Sequence, residues 1–113
     1  MNKPVTAALN HLTGPARGTA TWLSGAVLDV LLTDARLIRI AESDSEQPLD
    51  TVIARLHRCE ETYEVEAFEA HSLWVNGERI TAKRLDPRDL IEFGDNGPLS
   101  RFQLYREGSR VTR

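Results

Sequence analysis

The sequence is poor in the residues that usually carry covalent or metal chemistry. Its 113 residues include one cysteine, Cys59, three histidines and few aromatic residues. A single cysteine excludes an intramolecular disulfide and a cysteine-based zinc site, and it fits a reducing compartment. The longest apolar run, residues 26–32, is interrupted by Asp29 and is much shorter than the ~20 residues that a membrane helix needs. We therefore expect a cytoplasmic location and no membrane insertion by this segment, which is also compatible with being part of a longer, anchored protein.

Net charge is also small. Fourteen basic and seventeen acidic residues give a formal net charge of -3, which argues against a general nucleic-acid footprint and against a polybasic membrane anchor. The C-terminal third is locally basic, with acidic residues interspersed. Its basic residues are Arg79, Lys83, Arg84, Arg88, Arg101 and Arg106. A small β-barrel that binds single-stranded nucleic acid through these arginines, with Phe102 and Tyr105 stacking on bases, is a minor alternative. No nucleic-acid partner is otherwise expected.

Short pieces of alternating polarity, divided by turn residues, make up most of the chain. Seven glycines and five prolines separate them, and within them apolar residues recur at every second position. The residues that this alternation assigns to a buried face are Leu28, Val30, Leu32, Ile38, Ile40, Tyr63, Val65, Ala67, Phe102 and Leu104. Such spacing is typical of an antiparallel sandwich or barrel. We predict one all-β domain over residues 1–106 and a frayed tail or linker start at residues 107–113.

Turn residues predict where several strands are joined. Asn76-Gly77 is the pair that a type I′ hairpin turn favours, so residues 73–80 are predicted to form a hairpin. Further turns are predicted at residues 86–89 and 95–98. The strands on either side of the last turn would then pair as a closing hairpin.

One segment has two competing interpretations. The apolar residues of 49–60 lie at a spacing that fits a helix of about ten residues. The β-branched residues Thr51, Val52 and Ile53 suit a strand better, and strands are predicted on both sides. We predict a strand for this segment.

No motif for catalysis, a cofactor or a metal is present. The sequence has no Gly-x-Ser-x-Gly elbow, and its histidines are not at metal-ligand spacing. His57 and Cys59 are two positions apart and would share a strand face, but a hydrogen-bonded histidine and a small buried thiol explain them without catalysis. Acidic residues between 60 and 69 alternate with apolar ones, as on a solvated strand face. We predict a protein that is not an enzyme and needs no cofactor.

Three stretches, together with the order of the strands, carry a resemblance to a known family. They are Ile38-Arg39-Ile40-Ala41-Glu42, Ala54-Arg55-Leu56-His57 and Trp74-Val75-Asn76-Gly77-Glu78-Arg79-Ile80. From about residue 14 to residue 105 the chain resembles a forkhead-associated (FHA) domain. That family is a β-sandwich of two antiparallel sheets, which binds phosphothreonine peptides with loops at one end.

Each stretch corresponds to a family motif. The first matches an apolar strand that ends in Gly-Arg, the second matches Ser-Arg-x-His, and the third matches a hairpin containing an aromatic residue, Val and Asn-Gly. The residues that follow resemble the family's Leu-x-x-Gly-Asp-x-Ile-x-x-Gly ending, with Arg88 in place of the first glycine. They are Leu85, Asp89, Leu90, Ile91 and Gly94.

The resemblance implies a phosphate pocket, and the sequence departs from the family at this pocket. Family members bind phosphate with the arginine of Gly-Arg, the serine of Ser-Arg-x-His and a polar residue before the hairpin. By the resemblance these positions hold Glu42, Ala54 and His71. Phosphothreonine recognition depends on charge-assisted hydrogen bonds. Losing two of them, at roughly 1.5–3 kcal/mol each, would lower affinity by on the order of 10² to 10⁴.

Other basic residues near these motifs are candidate replacements for the missing donors. They are Arg39, Arg55, Arg58 and His71. They would form an anion site if they converge where the loops meet, although Arg39, between two apolar residues, is expected to point outward.

Several residues have structural explanations. The resemblance gives His57 the role of holding the loops in shape and Asn76-Gly77 the role of closing the hairpin. Trp22 and Trp74 are expected to be core or rim aromatics rather than platforms for a ligand.

The favoured hypothesis is a non-catalytic protein-protein interaction module with a signalling or scaffold role, in which phosphothreonine binding is lost or weakened. Its partner would be a protein or peptide, phosphorylated or not. The alternative is a working phosphothreonine-peptide reader with relocated basic ligands. The relative positions of Glu42, Ala54, Arg55 and His71 discriminate between the two, because a cationic concavity formed by them would favour the reader.

Overall fold

The alternating pieces of the sequence form strands in the computed structural model, which describes residues 5–33, 36–42, 52–68 and 71–106. Aliphatic, β-branched and aromatic residues favour extended backbone, and glycine and asparagine between them favour turns. The strands of the described residues are β1 (Val5–His11), β2 (Ala20–Leu23), β3 (Val27–Leu32), β4 (Ile38–Glu42), β5 (Val52–Cys59), β6 (Thr62–Ala67), β7 (Leu73–Val75), β8 (Glu78–Arg79), β9 (Ala82–Arg84), β10 (Leu90–Phe93) and β11 (Leu99–Arg106). The predicted all-β class is confirmed.

The strands pair in two antiparallel sheets. One sheet has the order β2-β1-β11-β10-β7-β8 and the other has the order β4-β3-β5-β6-β9. β3 pairs antiparallel with β4 on one side and with β5 on the other, so β4 and β5 run in the same direction. Leu32 lies opposite Ile38, and Leu31 lies opposite Val52. The end of β3 therefore lies beside the first residues of both β4 and β5.

The core lies between the sheets, where inward-facing side chains of both meet. Tyr63, Phe93 and Phe102 are the largest of its fully buried side chains. All ten residues that the alternation assigned to the buried face belong to this core or pack against it, so that prediction is confirmed. Trp22 is not part of the core, because 60% of its surface is exposed. Its ring contacts Tyr105, with 5.5 Å between the ring centroids. Trp74 is half-buried.

The ambiguous segment forms a strand where it is described. β5 pairs with β3 and with β6, and its register against β3 shifts between Val30 and Leu31. Its position in the middle of the five-strand sheet supplies hydrogen-bond partners on both sides, which outweighs the helical spacing of its apolar residues. The strand prediction is confirmed for residues 52–59, and residues 49–51 lie outside the described residues.

The predicted hairpin and turns are also present. Asn76 and Gly77 have φ angles of +53° and +84°, as a type I′ turn requires, and Val75 lies opposite Glu78 across it. In the turn of residues 86–89, the Asp89 amide donates to the Asp86 carbonyl at 3.1 Å. β10 and β11 pair antiparallel, which confirms the closing hairpin.

Two further predictions concern the ends of the chain and the membrane. The tail at residues 107–113 lies outside the described residues. Within the described ranges, no helix is long and apolar enough to cross a membrane.

Candidate functional site

Connections from both sheets meet at one end of the sandwich, which we call the loop end. Arg36 Nη2 donates to the Asn96 carbonyl at 2.8 Å, which joins the two sheets here, and the Gly94 amide donates to the Ser72 carbonyl at 2.9 Å, which joins two connections of this end. The loop end consists of the described parts of connections 12–19, 33–37, 68–72 and 94–98. The opposite end, which we call the far end, consists of connections 24–26, 60–61 and 85–89.

A pocket of about 310 Å³ opens at the loop end between three of these connections. It is lined by Thr13, Gly14, Pro15, Arg36, Asn96, Gly97 and Pro98. Arg36 is the one charged side chain among the described residues of this lining. A guanidinium carries five N–H donors, so the bond to Asn96 leaves others for a ligand. The pocket thus combines the guanidinium of Arg36, held by its hydrogen bond, with glycine and proline residues.

The wall of this pocket has a defined shape. The Leu99 amide donates to Thr13 Oγ1 at 2.9 Å, which fixes the first connection to the start of β11. Gly14 has a φ of +86°, and a Cβ added to it would lie 3.3 Å from Pro98 Cβ. Glycine is the residue that takes this backbone conformation without strain.

A buried histidine supports the same connections from within the sandwich. His11 Nδ1 hydrogen-bonds Ser100 Oγ at 2.9 Å, and His11 Nε2 hydrogen-bonds Thr21 Oγ1 at 2.7 Å. Burial lowers the pKa of His11, because it penalises the charged imidazolium. The neutral ring therefore ties β1, β2 and β11 together, a role for which the sequence contains no motif.

Two of the predicted site residues lie at the loop end. Arg39 is exposed on β4 opposite Leu31, so its expected outward direction is confirmed. His71 is half-buried, and its backbone amide donates to the Phe68 carbonyl at 2.9 Å. A binding role for either residue stays a prediction.

Ala54 and Arg55 do not form the predicted phosphate site. Ala54 is the third residue of β5, is fully buried and packs in the core, so it is not a loop residue. Arg55 donates from Nε to the buried carboxylate of Asp29 at 2.8 Å, and its guanidinium lies over the Phe68 ring, 5.2 Å from the centroid. The match to Ser-Arg-x-His therefore falls inside β5 rather than in the loop before it. The residue immediately before that strand lies outside the described residues.

Glu42, His57 and Arg58 lie toward the far end, which corrects their assignment to the loop end. Glu42 ends β4 opposite Leu28, because β4 runs away from the loop end. His57 lies opposite Val27 and hydrogen-bonds Glu66 at 3.0 Å, so it does not hold the loops. Arg58 is exposed. Glu42, Ala54, Arg55, His57 and Arg58 thus lie on β4 and β5 at different distances from the loop end, whereas His71 lies in the connection before β7.

The hairpin residue Asn76 has a second contact that the turn pattern did not predict. Its side-chain amide donates to Asp89 Oδ1 at 2.9 Å, while Asp89 Oδ2 accepts from Lys83 Nζ at 3.0 Å and from the Asp86 amide at 2.9 Å. Burial raises the pKa of Asp89, but these three donors outweigh it and lower the pKa below the usual 3.8. We call these four residues the Asp89 cluster.

Other chemistry finds little support in the described residues. No three histidine, cysteine or acidic side chains converge there as a metal site would require. Cys59 is half-buried rather than fully buried. Phe102, which the nucleic-acid hypothesis needs for base stacking, is fully buried in the core of a sandwich rather than a barrel.

Arg36 is the loop-end residue that sequence reasoning missed. It lies in a short connection between two apolar strands, and it has a φ of +64°. The sequence signal that could have identified Arg36 is a basic residue in a short connection between two apolar strands.

Comparison with known proteins agrees with this architecture. No protein-family model matches the chain, and no curated protein matches it. The chain is similar to the solution structure of the FHA domain of an Arabidopsis thaliana hypothetical protein, with a TM-score of 0.66 and 15% identity over 100% of this chain and 96% of that one. It is also similar to Mycobacterium tuberculosis EmbR in complex with a low affinity phosphopeptide, with a TM-score of 0.62 and 20% identity over 87% of this chain and 24% of that one. The fold is an FHA-like β-sandwich, as the sequence resemblance predicted.

Proposed function

We propose that this FHA-like sandwich is a non-catalytic interaction module that binds a peptide segment of a protein partner at its loop end. The observation that carries the proposal is the meeting of connections from both sheets around one pocket, with Arg36, Arg39 and His71 at that end. A rigid scaffold that presents loops is a common basis for binding sites. The phosphopeptide in the EmbR complex supports a peptide as the class of ligand.

We further propose that phosphothreonine recognition is weaker than a full set of donors would give. Neither Ala54, which is buried inside β5, nor the Nε donor of Arg55, which Asp29 engages, is available to a phosphate at the loop end. Charge-assisted hydrogen bonds supply much of the affinity for phosphate, so their loss weakens the discrimination of phosphorylated from unmodified peptide. A signalling or scaffold role and a cytoplasmic location remain predictions from the sequence.

A titration with paired peptides tests this function. Peptides selected from a phosphothreonine library are compared with their unphosphorylated forms by isothermal calorimetry. We expect binding of both forms, with affinities that differ by about tenfold or less, since 1.4 kcal/mol separates each decade. No binding by any library member would overturn the proposal.

Matched variants locate the binding surface. We expect Arg39→Gln at the loop end to weaken peptide binding and Arg84→Gln at the far end to leave it unchanged, although both remove one positive charge. Arg84 contacts exposed Glu60, so its loss costs little stability. Equal effects of the two variants would contradict a loop-end site.

A second candidate function is a phosphopeptide reader with relocated ligands, and the position of Arg36 beside the pocket is the observation that favours it. The same titration discriminates, because a reader would prefer the phosphorylated form by well over about tenfold, with strong dependence on salt concentration.

A further inference from the structure

We propose that the pocket lined by Arg36 binds an anionic group, a carboxylate or a phosphate, of the partner peptide. The identity of the partner rests on the proposed function, whereas anion binding by the pocket does not. This site lies between connections 12–19, 33–37 and 94–98, and none of the residues in which the chain resembles the FHA motifs lines it.

The charge of the pocket supports an anion. Among the described residues, its lining contains the guanidinium of Arg36 and no acidic side chain. Two nearby carboxylates hydrogen-bond neutral donors rather than Arg36, since Glu92 accepts from the Asn96 amide at 2.7 Å and Asp95 accepts from Trp74 Nε1 at 3.0 Å. Among the described residues no carboxylate forms an ion pair with Arg36. Within the described part of the chain, an anion that enters the pocket therefore meets a guanidinium that is not ion-paired.

The pocket is also organised before a ligand arrives. The bond from Nη2 to Asn96 holds the guanidinium at the pocket wall, and a fixed guanidinium loses less conformational freedom on binding than a free one. Pro15, Pro98 and Gly14 restrict the opposite side. At about 310 Å³ the space is at the small end of ligand pockets and is large enough for a phosphate or carboxylate side chain.

Arg55 provides an internal contrast. Its Nε is held by the buried carboxylate of Asp29 and its plane lies on Phe68. Arg36 instead donates to a neutral carbonyl, so no described residue cancels its positive charge. The choice of Arg36 as the anion ligand follows from this difference.

Titration of the isotopically labelled protein with simple anions tests the pocket directly. The probes are sodium phosphate and sodium acetate, each compared with sodium chloride at the same ionic strength, and amide chemical shifts are followed by NMR. We expect saturable shifts at Gly14, Arg36 and Gly97. A larger response to phosphate would indicate a phosphorylated partner residue, and an equal response to acetate would indicate an acidic side chain.

Three variants assign the effect to the guanidinium. Arg36→Gln should weaken anion binding by about tenfold or more, as expected for the loss of a charged hydrogen bond. Arg36→Lys should retain part of it, because the charge remains. Arg17→Gln removes one charge at the same end without altering the lining, and should change affinity by less than about twofold. The remaining amide shifts show whether each variant is folded.

Shifts that do not saturate, that spread over the surface, or that persist in Arg36→Gln would overturn the inference. Its failure is distinct from failure of the proposed function. Peptide binding without anion binding at Gly14, Arg36 and Gly97 removes the pocket alone. Anion binding without any peptide ligand supports the pocket and removes the proposed interaction module.

Discussion

The two ends of the sandwich use charged residues in opposite ways. At the far end, Asp89 is buried and accepts hydrogen bonds from Asn76, Lys83 and the Asp86 amide. At the loop end, Arg36 is exposed beside a pocket, and among the described residues its side chain makes one hydrogen bond, to the carbonyl oxygen of Asn96. The first charge accepts hydrogen bonds from three protein donors, whereas the second retains donors that no described residue uses and that water or a ligand can take.

This contrast separates residues that maintain the fold from residues that are free to bind. A buried charge costs stability unless it is paired and hydrogen-bonded, so the Asp89 cluster must be satisfied internally. An exposed guanidinium has no such requirement, and its unused donors cost nothing while water solvates them. The candidate site is therefore identified by how many hydrogen bonds a charged group makes within the described protein, more than by the type of residue.

The largest expected effect on stability comes from a substitution at the far end. Asp89→Ala removes the common acceptor of three partly buried hydrogen bonds and should lower the free energy of unfolding by about 2–4 kcal/mol. Asp95→Ala, which removes an exposed acceptor at the loop end, should cost about 1 kcal/mol or less. Urea denaturation of the two variants measures both. Similar losses would show that the two ends do not differ in this way.

Acid should affect two parts of the molecule in separate pH ranges. The pKa of His11 is lowered in the folded state, so the unfolded chain binds protons more tightly and stability falls as pH drops below about 6.5. The slope cannot exceed about 1.4 kcal/mol per pH unit for one group. The pKa of Asp89 is also lowered, so its contribution is present above 3.8 and is lost as pH falls further.

Thermal unfolding as a function of pH checks both ranges. His11→Gln should remove the first decline and keep the second, because glutamine retains hydrogen-bonding groups but does not titrate. A decline near neutral pH that survives in His11→Gln would assign it to another group.

A smaller effect concerns backbone conformation at the far end. Arg88 has a φ of +76°, and by the FHA resemblance it stands in place of a glycine. Arg88→Gly should raise stability by about 0.5–1 kcal/mol, since glycine takes this conformation without strain. The converse change, Gly77→Ala at a φ of +84° in open space, should lower stability by about 1–2 kcal/mol. Melting temperatures measure both, and a destabilised Arg88→Gly would contradict the assignment of strain.

The smallest effect sharpens the comparison at the loop end. Arg36→Gln should change the free energy of unfolding by less than about 0.5 kcal/mol, because the side chain is exposed and its one bond is to a neutral acceptor. Chemical denaturation beside the Asp89→Ala variant measures the difference. A loss comparable with that of Asp89→Ala would make Arg36 a structural residue rather than a ligand.

Much of the fold could be predicted from local pattern. Alternation identifies which side chains face the core, because residues two apart on a strand share a face. The Asn76-Gly77 pair predicts its turn through the φ angles it favours. β5 could not be predicted from the spacing of its apolar residues alone, because that spacing fits a helix. Hydrogen-bond partners on both sides make the segment a strand.

The site was harder to predict, because alternation does not specify where a strand begins or which end of a sheet it reaches. Ala54 matched a loop motif by its neighbours Arg55 and His57, yet β5 begins at Val52, so Ala54 lies inside the strand. Glu42 follows an apolar strand as the motif requires, but β4 runs away from the loops. Arg36 is held at the pocket by its hydrogen bond to Asn96, which lies sixty positions away in sequence.

The two tryptophans give the protein a built-in optical reporter. Trp74 donates its indole N–H to Asp95, beside the residues 96–98 that line the pocket, whereas Trp22 is largely exposed on the outer face of β2 next to Tyr105. Indole emission depends on local polarity and hydrogen bonding, so occupancy of the pocket should alter the fluorescence of Trp74. Replacing Trp22 by phenylalanine would leave a single emitter at the loop end, and binding could then be followed without any added label.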